Sequence, residues 1–271
     1  MTDKLEKLIE KINILSKKDY YKIKIIDKSP EIFESKIGGI PYWTPDIVYP
    51  TNSDGKKLFL LAQINFEKEK VESPLPSNGL IQFFISDDDV MGCQEDYTDQ
   101  KNFRVIYHEN IDYNITKESI KQLDVPDSKN AKLFPIIGEH KITLNKGIDY
   151  VNIQDIKFND FFKIAYKEVY NKDLKDNDYY YKILTQEEQE EFENKMETDK
   201  LYHQMLGYAY FRQEDPRYDE KYSQYDTLLL QIDSEDKFTM WGEVGVGNFF
   251  ISKNSLLNKD FSKVLYYWDC F

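Results

Sequence analysis

The strongest constraint on this chain is a stretch of sequence that occurs twice. Gly39 and Gly207 lie 168 residues apart (207 − 39 = 168), and Gln63 and Gln231 are separated by the same interval. At that offset Tyr42 meets Tyr210, Trp43 meets Phe211, Leu60-Leu61 meets Leu228-Leu229, and Ile64-Asn65 meets Ile232-Asp233. After a two-residue deletion the run from Gly79 to Ser86 (GLIQFFIS) aligns with the run from Gly245 to Ser252 (GVGNFFIS). A third pair of segments, Phe103–Tyr107 and Phe261–Tyr266, follows in each copy.

Each copy has the pattern of an antiparallel meander. A glycine turn leads into a short apolar run, a second glycine feeds a Phe-Phe-Ile strand, and a third strand closes the unit. Nearly continuous apolar runs such as Phe59–Ile64 imply burial on both faces. One copy alone would leave an apolar sheet face in water, and two copies packed together bury both. The expected fold class is therefore α+β, with two diverged antiparallel β-meander repeats packed with pseudo-twofold symmetry and peripheral helices. The repeats span about 38–108 and 206–270. A mixed helical and strand segment, about 109–205, joins them within a single domain of residues 1–271.

Local signals fill in the remainder. Leu5, Leu8, Ile9, Ile12 and Leu15 recur at helical spacing, so residues 3–18 are expected to be a helix opened by Asp3 and Glu6. Tyr20–Ile26 reads as a strand. Ser29-Pro30-Glu31 resembles a cap with proline at the first helical position, which predicts a short helix ending near Lys36. Leu58–Asn65, Leu80–Ile85 and Phe103–His108 are predicted strands, and Lys141–Leu144 is a further candidate. Phe158, Phe161, Phe162, Ala165 and Val169 mark an amphipathic helix. Thr185 and Glu188 form a capping box that opens another. The Asp173–Asp178 stretch between these two helices is expected to be an exposed loop.

Composition bounds the function. With 271 residues, 41% of them hydrophobic, the chain can bury a sizeable core. Its formal net charge of −13 opposes contact with nucleic acid or an anionic membrane and favours a basic protein partner. No apolar run is long enough to span a bilayer. The first fifteen residues are charged and amphipathic rather than leader-like, so a cytoplasmic protein with two reduced thiols, Cys93 and Cys270, is expected.

Some residues stand out because they are polar in apolar surroundings. Gln63 and Gln231 sit within buried-looking strands. A buried amide must find partners, so each either pins a neighbouring turn or lines a cleft between the repeats. His203, Trp241 and Glu243 are candidates for a polar pocket with an aromatic wall, in which a His–carboxylate pair could exchange protons. The alternative for these three is a structural hydrogen bond in the second copy's turn. His108 and His140 are read as surface or strand residues. Asp87-Asp88-Asp89 begins like a calcium loop, but Met91 and Thr98 stand where oxygen ligands are required, so a solvated turn is expected. Gly242, Gly245 and Gly247 lead into a strand rather than a helix, which argues against a phosphate cradle. No metal and no cofactor is expected.

Three groups of motifs carry a family resemblance. The first is Ser35-Lys36-Ile37-Gly38-Gly39 with Pro41. The second is Leu60-Leu61-Ala62-Gln63-Ile64-Asn65 with Leu75-Pro76 and Gly79-Leu80. The third comprises His203-Gln204, Leu206-Gly207, Gln213, Asp215-Pro216, Leu229-Leu230-Gln231-Ile232-Asp233 and Met240-Trp241-Gly242-Glu243. Together they resemble the YwqG-like family, a bacterial domain of unknown function, over nearly the whole chain. The chain departs from the family's pattern at Glu243, where aspartate is usual, and at Trp43, where an aliphatic residue is usual. The resemblance implies a cytoplasmic bacterial protein without an established activity. The occurrence of some relatives near toxin systems suggests an immunity-like or accessory role.

Two functions are compatible with these features. One is a non-catalytic binding protein whose acidic surface engages a basic protein. The alternative is an enzyme or small-ligand binder that uses a cleft between the repeats.

Overall fold

A computed structural model describes residues 3–196 and 203–271, and so omits residues 197–202 of the joining segment. The strands are β1 (Lys18–Ile26), β2 (Lys36–Gly38), β3 (Phe59–Asn65), β4 (Leu80–Ile85), β5 (Phe103–His108), β6 (Glu139–Asp149), β7 (Gln204–Leu206), β8 (Thr227–Asp233), β9 (Val246–Ile251) and β10 (Val264–Asp269). The helices among the described residues are α1 (Asp3–Ser16), α2 (Lys117–Gln122), α3 (Phe158–Tyr170), α4 (Tyr180–Ile183), α5 (Gln186–Met196) and α6 (Lys253–Leu257). The fold is α+β.

All ten strands join one antiparallel sheet in the order β10-β9-β8-β7-β1-β6-β2-β3-β4-β5. Its centre is the long pair β1–β6, in register from Lys18 opposite Asp149 to Ile26 opposite Lys141. Two arms leave this centre, β2 to β5 on one side and β7 to β10 on the other. The sheet curls until the arms face each other, bringing the rings of Phe83 (β4) and Phe249 (β9) to 5.0 Å and those of Phe103 (β5) and Tyr266 (β10) to 5.2 Å. The sheet is nearly closed. The Gln100 amide spans the two edges, donating to Ser262 O (2.9 Å) and accepting from Val105 N (3.4 Å). An edge strand with unpaired backbone groups invites pairing with another chain, and bringing the two edges together reduces the access to them.

Pairing details recur between the arms. Leu60 faces Phe84, the register then slips, and Gln63 faces Gln82. In the other arm Leu228 faces Phe250, the register slips at the same place, and Gln231 faces Asn248. Phe83 and Phe249 point into the shared core. Phe84 and Phe250 point outward, each under its own aromatic cover, with Trp43 5.9 Å from Phe84 and Phe211 6.1 Å from Phe250. Burial on both faces explains the unbroken apolar runs of β3, β4, β8 and β9. Helices α1, α3 and α5 form a separate layer packed around Phe158, Phe162 and Phe192.

Several local expectations need correction. The first helix ends at Ser16, since Lys18 already pairs in β1. No helix follows Pro30. Carbonyls that a helix would use internally are taken by side chains of β3: Gln63 Nε2 donates to Ile32 O and Glu34 O, and Asn65 Nδ2 donates to Phe33 O. The chain turns there and enters β2. The strand foreseen at Lys141–Leu144 runs from Glu139 to Asp149. The third strand of the second copy starts later than the sequence alignment placed it: Val264, not Phe261, stands opposite Ile251 as Phe103 stands opposite Ile85. The Thr185–Glu188 capping box is present, with Thr185 N donating to Glu188 Oε2 at 3.0 Å.

Candidate functional site

Gln63 and Gln231 are fully buried. Gln63 Oε1 accepts from Tyr42 N (2.9 Å) and from Gln82 Nε2 (2.9 Å), while its Nε2 holds the two carbonyls named above. Gln82 Nε2 also donates to Tyr42 O (2.7 Å). Gln82 Oε1 meets His108 Nε2 at 2.8 Å, and an oxygen there requires the proton on Nε2. Burial pushes the His108 imidazole down to about 4, so it is neutral at physiological pH. In the other arm Gln231 Oε1 accepts from Tyr210 N (2.8 Å), and Asn248 Nδ2 donates to Tyr210 O (3.1 Å). Both glutamines therefore fasten the segment that follows a glycine turn.

His203, Trp241 and Glu243 do not share one carboxylate-lined pocket. His203 Nδ1 accepts from Asp233 N (3.0 Å), which leaves the proton on Nε2, and Nε2 donates to Glu235 Oε2 (3.1 Å). That hydrogen bond holds the Glu235 carboxyl below its ordinary value. Trp241 is fully buried against Tyr266 and Trp268. Glu243 is exposed on the turn before β9, and its carbonyl accepts from Phe271 N (3.4 Å). The acidic partner of His203 is thus Glu235, which sequence reasoning missed because nothing in the spacing of these residues separates it from its acidic neighbours.

A second buried network had a visible signal only in Asp215-Pro216. Arg217 stacks on Phe250 (4.3 Å) and pairs with Asp215 (2.6 Å) and Asp155 (3.0 Å), all three being buried. Asp155 also accepts from Ala209 N (3.3 Å), and Asp149 accepts from Tyr208 N (2.8 Å). The joining segment thereby clamps the chain that follows Gly207.

Two surface features that involve the second arm can meet another molecule. One is a cavity of about 310 Å³ between the arms, lined by Lys18, Asp19 and Glu72 and, from the second arm, Gly207, Asp226 and Lys253. The expected site residues Gln63, Gln231, His203, Trp241 and Glu243 are not in its lining. The other is an apolar face beside β10. Val90 and Val244 are 45% and 46% exposed, and Phe271 is more exposed still. Trp268 Nε1 donates to Val90 O (2.7 Å). Gly242 packs against Trp268 and Cys270. Asp89 and Glu243, next in sequence to Val90 and Val244, are exposed, as is Glu214. One cation is nearby, Arg212 over the Phe271 ring, and it is paired with Asp233 (2.9 Å). The Asp87–Asp89 turn has a structural role: Asp87 accepts from Lys132 N and Leu133 N.

Among the described residues no helix is long and apolar enough to cross a membrane, and no group of His, Cys, Asp or Glu side chains is arranged to hold a metal ion. Cys93 and Cys270 are free thiols. Residues 35–270 match the model of family DUF1963, a domain of unknown function. No curated protein matches the chain.

Proposed function

The chain belongs to that family of unknown function, and from this premise we propose that it is a non-catalytic binding protein whose acidic surface engages a basic protein. The observation that carries the reading is the exposure of Val90, Val244 and Phe271 near the end of β10, with exposed carboxylates at Asp89, Glu214 and Glu243, which we read as an apolar patch with an acidic rim. Exposed apolar area supplies affinity through a few anchors. The rim, with the net charge of −13, speeds encounter with a cationic partner and repels anionic ones. Side chains rather than backbone pairing are taken as the mode of binding, since Tyr97 O occupies Tyr266 N (2.8 Å) in the middle of the β10 edge. Within its family we place the chain among the YwqG-like members, on the motifs quoted above, as a cytoplasmic bacterial protein with an immunity-like role. We also infer that its two arms are copies of one ancestral unit, a reading supported by the shared register slip and the matched glutamines.

The test is co-purification of the full chain from its native host at low and high salt, alongside Val90→Asp and Glu243→Lys. Expected is a basic protein retained at low salt, released at high salt and lost from both variants, whose folding is unchanged. A stoichiometric small ligand with no protein partner at any salt would overturn the proposal and direct attention to the cavity between the arms.

A further inference from the structure

In a chain this acidic, one cavity has a cationic lining. Lys36 on β2, Lys117 and Lys121 on α2, and Lys129 in the turn that follows line a space of about 160 Å³, together with Asp127 and Glu139. Two of the four cations are engaged: Lys117 pairs with Glu31 (3.1 Å) and Lys129 with Glu139 (2.7 Å). Lys121 has no ion pair among the described residues, and it is exposed. Lys36 is only 3% exposed, and its Nζ meets one hydrogen-bond acceptor, Ile40 O at 2.5 Å. An ammonium carries three donors. The rest of the buried Lys36 head group therefore lacks partners among the described residues, although it belongs to the wall of an open space.

Buried donors without partners are rare in native proteins and call for an explanation. Here the remaining wall includes Ile32, Ile40 and Ile120, which limits solvation and strengthens any charge interaction inside. Burial lowers the Lys36 amine to about 8, with Glu139 opposing and Lys117 adding to the shift. A bound anion would restore the lost stabilisation of its charged form. The space is smaller than the roughly 300–1,000 Å³ typical of sites for drug-sized ligands. Lysines acting as point charges suit a phosphate oxyanion.

We propose that this cavity binds a small phosphate-type anion, held by the buried Lys36 and the exposed Lys121, with Lys117 and Lys129 adding to the local field. The ligand is inorganic phosphate or a small phosphomonoester whose organic group lies against Ile32, Ile40 and Ile120. The proposal is independent of the protein-binding face, which lies beside β10.

Titration calorimetry of the full chain with inorganic phosphate and with ethyl phosphate tests this, with sodium chloride as the control. Expected is one saturable site that weakens as the pH rises through about 8, where Lys36 loses its proton. Lys121→Ala, an exposed change that leaves folding intact, should weaken binding about tenfold, the loss of one charge-assisted contact. Lys36→Met should abolish it. Tighter binding of ethyl phosphate assigns the site to an ester, and equal or weaker binding assigns it to the free ion. The proposal is overturned by the absence of saturable binding for both probes, by chloride competing at equal concentration, or by unchanged affinity in Lys121→Ala.

Discussion

Gln63 shows how much one side chain can hold. Its amide serves Tyr42 N, Gln82 Nε2, Ile32 O and Glu34 O at once. Gln63→Leu strands Tyr42 N, Ile32 O and Glu34 O, while Gln82 Nε2 keeps its bond to Tyr42 O; buried polar groups left unpaired cost about 1–3 kcal/mol each, so a loss of at least about 2–3 kcal/mol is expected in urea denaturation. An unchanged midpoint would mean that water or neighbours replace the amide. His108, at the end of the same chain of hydrogen bonds, sets a pH dependence. Its folded value of about 4 lies below the ordinary value of 6.5, so the unfolded state binds more protons between those limits. Stability attributable to this group is fully present above pH 6.5 and is lost as the pH falls toward 4, by roughly 3 kcal/mol. His108→Gln should flatten the stability profile between pH 5 and 6.5, and an unaltered profile would refute the assignment. At this scale the sequence exposed the glutamines, because an amide inside an apolar run is conspicuous. It hid His108, Glu235 and Arg217, whose partners are remote in sequence and whose burial depends on packing.

Elements were legible where pattern and environment agree. The period-2 and unbroken apolar runs of β3, β4, β8 and β9, the amphipathic α1 and α3, and the capping box of α5 all stand where the residues place them. The failure after Pro30 has a specific cause: local capping signals lost to side chains arriving from β3. The seam β1–β6 was out of reach for a different reason. Half of it precedes the first repeat and half lies in the joining segment, so no repeat logic pairs them. The turn after β7 gives a test at this scale. Gly207 has φ +72°, and a Cβ there would sit 2.5 Å from Asp149 Oδ2. Gly55 has φ +77° but nothing within 4 Å of its Cβ position. Gly55→Ala should cost only the left-handed backbone term of about 1–2 kcal/mol. Gly207→Ala should cost clearly more, because the carboxylate that holds Tyr208 N must also move. Equal midpoints for the two variants would show that the clamp is slack.

Across the whole molecule, one apolar core joins both arms while each outer face has its own cover. Phe249 and Phe250 are adjacent yet belong to different parts of this plan. Phe249→Ala should cost about 3–5 kcal/mol and lower amide protection in both arms, since its ring meets Phe83 and Phe103 across the core. Phe250→Ala should cost a similar amount, with the loss of protection concentrated near Phe211 and Tyr222. Hydrogen exchange read residue by residue distinguishes the two patterns. Identical patterns would argue against a core shared in this way.

The position of β1 also bears on how the chain is made. On the ribosome β1 emerges well before its neighbours β6 and β7, which lie more than a hundred residues downstream. The strands β2 to β6 can assemble as soon as β6 leaves the exit tunnel, with β1 closing on β6. The second arm must then add to a sheet whose β1 edge stands open until β7 is synthesised. For that interval the nascent chain offers a long unpaired strand, rich in Lys and Tyr, to whatever is nearby. Its alternating lysines at 18, 22 and 24 make that edge a poor template for a second nascent chain. The order of synthesis thus gives those lysines a use beyond the finished fold, in which Lys18 lies over the Tyr208 ring (3.7 Å).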